Sequence, residues 1–157
     1  MIRSSRTLLA TVVATLLAVS VSAALADTGG PPSFATATDS DFVLAKKAID
    51  EKDWNKAIRL LDRVKVDADV LNYRGYAHRN LGNFDEAFRN YQRALEMDPN
   101  HRGAHEYVGE AYLLTNNLAM AEEHLAALNR ICGSSCEEYK DLAREVAEFK
   151  KKHSAQR

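Results

Sequence analysis

Residues 68–101 read ADVLNYRGYAHRNLGNFDEAFRNYQRALEMDPNH. Within them Phe84, Ala87, Phe88, Tyr91, Ala94 and Leu95 recur at steps of three and four, which puts them on one face of an α-helix. Asn83 stands just before that run with Glu86 three residues on, an N-cap and a capping-box-like pair. Gly82 can take the left-handed conformation that ends the preceding helix. Pro99 stops the second helix, because it has no N–H and disfavours helical geometry at Asp98. A helical hairpin is expected here.

Moving outward, the same pattern returns. At a spacing of 34, Gly75 falls on Gly109, Ala87 on Ala121, Tyr91 on Leu125 and Ala94 on Leu128. A looser copy lies upstream, where Trp54, Ala57, Leu61 and Val64 precede Phe84, Ala87, Tyr91 and Ala94 by 30 residues. Asp53 and Asn117 occupy the position of Asn83 in the flanking copies. Units of this length cannot bury an apolar face alone and stack on their neighbours as a solenoid. The expected organisation is three units at about 38–67, 68–101 and 102–135, then a capping helix over 136–153. On that last helix Tyr139, Leu142, Ala143, Val146 and Phe149 line one face. Glu137 and Glu138 at its start and Lys150, Lys151 and Lys152 at its end complement the helix dipole.

The amino terminus reads as an address. Arg3 and Arg6 precede an uncharged apolar run over 8–21, and Ala24-Leu25-Ala26 supplies the small residues of a signal-peptidase site. The expectation is a signal peptide over 1–26 cleaved after Ala26, giving a periplasmic or secreted protein. An uncleaved anchor is the alternative, although a span needs roughly 20 apolar residues. Residues 27–37, with Gly29, Gly30, Pro31 and Pro32, read as a flexible linker. Across all 157 residues, 21 Lys+Arg nearly cancel 22 Asp+Glu, so no basic field draws the protein to nucleic acid. Hydrophobic residues at 46% and charged residues at 27% indicate a globular chain with no stable membrane insertion once the leader is removed.

At Gly75, Gly82, Phe84, Ala87, Tyr91, Ala94 and Pro99 the segment 68–101 resembles the tetratricopeptide repeat family. The next unit keeps Gly109, Tyr112 and Ala121, with Gly133 where the proline would stand. The first is the most divergent, with Ala45 for the glycine and Ala48 for the aromatic. Within the middle unit Leu71 replaces the usual tryptophan, and Arg74 and His78 occupy usually apolar positions. The resemblance implies an all-α, right-handed α-solenoid of about three helix-turn-helix repeats plus a C-terminal capping helix. It also implies that the first helix of each unit lines a concave groove. By that resemblance the groove positions are Lys46, Asn72, Tyr76, Arg79, Asn80, Glu106 and Glu110. The expected function is a non-catalytic interaction module that binds a peptide or protein segment there. The family's Lys/Asn/Arg clamp for a terminal carboxylate is not carried over, since the third unit has Gly103, Glu106 and Tyr107 where cations are wanted. Glu106 and Glu110 instead favour a basic or amide-bearing segment.

Other constellations point to chemistry less strongly. Cys132 and Cys136, both beyond the leader, are expected to form a disulfide joining the third unit to the capping helix. A free pair and a catalytic dithiol are the alternatives. His101 and His105 lie one helical turn apart, a spacing that can hold two metal ligands. A thiol-redox or metal-handling protein using Cys132/Cys136 or His101/His105 is therefore the second functional reading. No third ligand stands near the histidines, and no G-x-S-x-G, phosphate loop or H-E-x-x-H is present. No enzyme activity, cofactor or metal is expected. Self-association through the open ends of the solenoid is a further possibility.

Overall fold

The computed structural model describes residues 37–154. The expected signal peptide, and the linker up to residue 36, lie outside the described residues. Among the described residues there are seven helices and no strand: α1 (Ala37–Asp50), α2 (Trp54–Leu61), α3 (Ala68–Asn80), α4 (Phe84–Met97), α5 (Arg102–Leu114), α6 (Leu118–Cys132) and α7 (Glu137–Ser154). No described helix is long and apolar enough to cross a membrane.

Three hairpins are closed by one device. Lys52, Gly82 and Asn116 each take a left-handed backbone, with φ of 59°, 76° and 66°. The N–H of the following residue then reaches back to a carbonyl five residues earlier: Asp53 to Ala48 at 2.8 Å, Asn83 to His78 at 2.9 Å, Asn117 to Tyr112 at 2.7 Å. This is the Schellman closure, which satisfies carbonyls at a helix end. Only the middle turn uses glycine. At the other two the closure must offset the cost of a side chain in that region.

The capping expectation holds in two of the three hairpins. Asp53 Oδ1 accepts from the Lys56 N–H at 3.1 Å, and Asn117 Oδ1 from the Met120 N–H at 3.3 Å. Asn83 makes no such side-chain bond. Its presumed partner Glu86 is instead drawn to Arg89, one turn along the same helix. The capping box is therefore absent from the best-matching unit.

The first helices of successive hairpins touch one another, α1 to α3 and α3 to α5, and α7 continues the series against α5. The second helices α2, α4 and α6 make no such contact among themselves. One layer is thus drawn together while the other splays, so the α1, α3, α5, α7 layer forms the inner wall of an α-solenoid. Apolar clusters fill the space between layers: Ala57, Leu61 and Val70 at one end, Ala87, Tyr91 and Val108 in the middle, Leu128, Leu142 and Val146 at the other. In the last of these, α7 supplies Leu142 and Val146 from the face expected of it.

Candidate functional site

The inner wall is built outward from a buried tyrosine. Tyr91 on α4 is fully buried, and its ring reaches α3 because Gly75 has no side chain; a Cβ there would lie 2.6 Å from the ring. Burial pushes the phenol well above its usual range, with Glu110 adding to the shift and Arg79 opposing it. Its hydroxyl has no hydrogen-bond partner among the described residues.

Above it, Arg79 of α3 is bonded to Glu110 of α5, with only 9% and 12% of the two side chains exposed. The guanidinium lies over the rings of Tyr76 and Tyr107, 4.9 Å and 5.5 Å from their centroids. Tyr76 in turn packs edge-on against Trp54 at 5.8 Å and tilted against Tyr107 at 4.7 Å. A desolvated ion pair with two π-faces is strong and directional. Desolvation opposes the charge on Arg79, but Tyr91, Glu110 and Tyr76 outweigh it and hold its pKa above the usual value.

Further along, the wall is acidic. Glu106 of α5 is half-buried, and its carboxyl is pushed up to about 8 by burial first, then by Glu110, Asp141 and Glu138. Glu145 of α7 is raised by burial and by Glu110. Glu138 bonds Arg102 at 3.5 Å, and Asp141 bonds Arg144 at 2.7 Å. Glu106, Glu145 and Glu148 have no ion pair among the described residues.

The groove residues expected from sequence thus divide. Lys46 is exposed on α1, 5.3 Å from the centre of the Phe42 ring, and Asn80 is exposed, donating to the Tyr76 carbonyl at 2.8 Å. Tyr76, Arg79, Glu106 and Glu110 share the wall, but Arg79 and Glu110 neutralise each other rather than waiting for a ligand. Asn72 is a correction. Only 4% of it is exposed, and it is wedged at the α3–α5 contact, where a Cβ on Gly103 would lie 3.1 Å from its Nδ2. It belongs to the core because the two helices cross there, not to the free wall.

Glu145 and Glu148 escaped the sequence reading, and Tyr107 entered it only as a position where a cation was missing. A signal for Tyr107 existed. Arg79 and Glu110 are 31 apart, as are Tyr76 and Tyr107, which is the repeat length less about one turn. Neighbouring first helices are offset by that turn, so their contacts recur at 31 rather than 34.

The two histidines take different partners. His101 accepts from the Ala104 N–H through Nδ1 at 3.1 Å and meets Asp69 through Nε2 at 3.0 Å. His105 goes elsewhere, with Nδ1 at 2.9 Å from His124 Nδ1 and Nε2 at 3.1 Å from the Pro99 carbonyl. A carbonyl only accepts, so Nε2 of His105 carries the proton and its Nδ1 accepts from His124. Burial, then His105, holds His124 down at about 4. The helix start sends the two residues to different partners, so they do not converge on one ion. Cys132 and Cys136 do come together, with Cα atoms 5.9 Å apart, the separation a disulfide bridges.

Comparison with known proteins agrees with this architecture. The family model described as "Tetratricopeptide repeat" matches residues 68–101, which form the whole α3–α4 hairpin. Residues 68–101 are a tetratricopeptide repeat. No curated protein matches the chain significantly. Among solved structures, the Arabidopsis OM64 TPR domain is similar at 17% identity and a TM-score of 0.64, over 71% of this chain and 95% of that one. The yeast Sti1 TPR2B domain, solved as a complex with pHsp70, is similar at 26% identity and a TM-score of 0.61, over 77% and 98%. The Yersinia enterocolitica type III secretion chaperone SycD, solved with a peptide of the translocator YopD, is similar at 19% identity and a TM-score of 0.62, over 75% and 92%. The tetratricopeptide-repeat fold therefore extends beyond the one matched repeat to most of the described helices.

Proposed function

We propose that this chain is a non-catalytic interaction module that holds an extended protein segment along the wall of α1, α3, α5 and α7. The observation that carries the reading is the wall itself: an aromatic and charged surface on the contracted layer, with Tyr76, Tyr107, Lys46 and Asn80 at or near it. Such a surface can stack on side chains and hydrogen-bond an extended backbone. The yeast protein's complex with pHsp70 and the Yersinia protein's complex with a YopD peptide add support, since proteins of this fold take up protein partners. In this reading the module works in the cell envelope or outside the cell, supported by the leader-like pattern over 1–26, and the Cys132–Cys136 disulfide clasps α6 to α7. Mass measurement of the protein recovered from its producing cell checks the cleavage after Ala26.

The test selects peptides from a displayed random library on the chain and maps one of them by amide chemical shifts. Perturbations concentrated on α3, α5 and α7 are expected. Perturbations confined to α2, α4 and α6 would overturn the reading. Tyr76→Ala is the informative variant, expected to weaken a selected peptide. Arg79→Ala is a poor choice, because it also strands Glu110 without its counter-charge.

A further inference from the structure

The second helices α4 and α6 do not touch each other, and the gap between them is floored by α5. It forms a cleft of about 320 Å³, walled by Phe88 and Leu95 of α4, Val108 and Tyr112 of α5 and His124 of α6. We infer that this cleft is a binding site for a flat aromatic ring carrying one N–H donor, such as indole. The site lies apart from the inner wall and does not depend on what that wall binds.

Three observations carry it. First, the cleft is an aromatic enclosure. The Tyr112 ring lies tilted against Phe88 at 4.7 Å and stacked along the His124 ring at 5.7 Å, with 18° between those two planes. A flat ring placed among them gains stacking contact, and Leu95 and Val108 add apolar surface. Second, the hydrogen-bonding character of His124 is fixed from behind. The Pro99 carbonyl accepts from Nε2 of His105, so Nδ1 of His105 accepts from Nδ1 of His124. That chain leaves Nε2 of His124 with a lone pair and no proton. This nitrogen bonds nothing among the described residues and is not shut off from solvent. The other polar side chains of the cleft are Gln92 and Glu96, and the Gln92 amide already donates to Glu96 at 3.1 Å. Among the described residues no lysine or arginine lines it. The cleft therefore offers mainly acceptors beside aromatic faces, and the complementary group is a ring N–H. Third, the neighbouring gap shows that the opening is not a by-product of the repeat. Arg74 and His78 stand one repeat before Val108 and Tyr112, and Arg74 crosses from α3 to Asp62 at the end of α2 at 2.5 Å. Asp62 corresponds to Gln92 by the 30-residue offset of the first unit. An ion pair occupies there the place that Val108 and Gln92 leave open here.

The test uses the whole chain with indole and its isostere benzothiophene, which has sulfur in place of the N–H. Titrations followed by amide and methyl chemical shifts are expected to place indole beside Val108, Tyr112 and His124. Indole should bind about threefold or more tighter than the more apolar benzothiophene. Long-range proton–nitrogen correlation of the histidine rings needs no variant: Nε2 of His124 is expected to be unprotonated and to shift when indole is added. Val108→Arg with Gln92→Asp transplants the ion pair of the neighbouring gap and is expected to weaken indole by about tenfold or more, with thermal melting verifying the fold. N-acetyltryptophanamide separates the two sources of such a ring. Binding as tight as that of indole assigns a tryptophan side chain of a partner protein, and exclusion assigns a free small molecule. Equal binding of benzothiophene overturns the inference, as does a proton on Nε2 of His124 or undiminished binding by the folded double variant. So does a set of indole shifts outside the cleft, or no binding at about 5 mM indole.

Discussion

Gly75 and Gly109 occupy the same place in successive repeats, yet different neighbours fill the space each leaves. A Cβ at Gly75 would lie 2.6 Å from the ring of Tyr91, which comes from the second helix of the same hairpin. A Cβ at Gly109 would lie 2.6 Å from Leu142, which comes from α7, outside its hairpin altogether. The repeat register pairs Tyr91 with Leu125, and Leu125 is too short to cross the layer as the ring does. The middle repeat closes on itself. The third is closed by the capping helix, so α7 is part of its core and not an accessory.

That difference is easiest to break at the filling residues. Tyr91→Ala is expected to cost about 3–5 kcal/mol, and Leu142→Ala about 2–5 kcal/mol, by urea denaturation. Hydrogen exchange separates the two. Loss of Leu142 should speed exchange in α6 and α7 while α3 and α4 stay protected, whereas loss of Tyr91 should deprotect the whole array. The glycines themselves give a smaller and more asymmetric effect. Gly75→Ala drives a Cβ into a rigid buried ring and is expected to cost about 1–3 kcal/mol. Gly109→Ala meets the far end of a leucine, which can turn aside, and gains about 1 kcal/mol of helix propensity, so its net change should be close to zero. Equal costs at the two sites would show that α7 is as rigid a filler as Tyr91.

The clasp between the third repeat and its cap is expected to be weaker still. Replacing Cys132 and Cys136 with serine should lower stability by about 2 kcal/mol or less, because the closed loop is short. Peptide binding at α3 should persist, and its loss with intact folding would favour a redox role for the pair.

The subtlest effect is a pH slope on the inner wall. Glu106 is held near 8, above an unfolded value of about 4.5, so the folded state keeps its proton where the unfolded state has lost it. The stability this contributes is complete below about pH 4.5 and fades as pH rises through 8. His124 acts in the opposite sense: held near 4, it makes stability rise between pH 4 and its ordinary range near 6.5. Chemical denaturation from pH 5 to 9 should therefore show Glu106→Gln removing the decline it causes between about pH 5 and 8 while leaving the slope above 8 unchanged. An unaltered decline between about pH 5 and 8 would mean that Glu106 ionises normally.

Much of this fold was legible in the chain. The step of three and four in Phe84, Ala87, Tyr91 and Ala94 dictates an amphipathic helix, because those positions share one face whatever surrounds them. The 34-residue return of Gly75 at Gly109 dictates stacking, because an apolar face repeated at that distance has only its neighbours to cover it. Turn closure was partly legible: Gly82 announced itself and Asn116 is a residue type that tolerates the left-handed backbone, but Lys52 adopts it with no compositional mark. The candidate site was read less well. Tyr76, Arg79, Glu106 and Glu110 were placed on the right wall, yet Asn72 is buried and Glu145 arrives from a helix read only as a cap.

Periodicity is a local property, carried by covalent spacing and the pitch of a helix, and so the amino-acid order alone settled the helical hairpins and their stacking. Pairing across helices is different. Whether Arg79 meets a ligand or Glu110, whether His105 meets His101 or His124, and which chain fills the gap at Gly109 all depend on offsets of a single turn between neighbouring helices. Those offsets arise from side-chain packing between layers. Only the folded array sets them, and with them the charge left over on its inner wall.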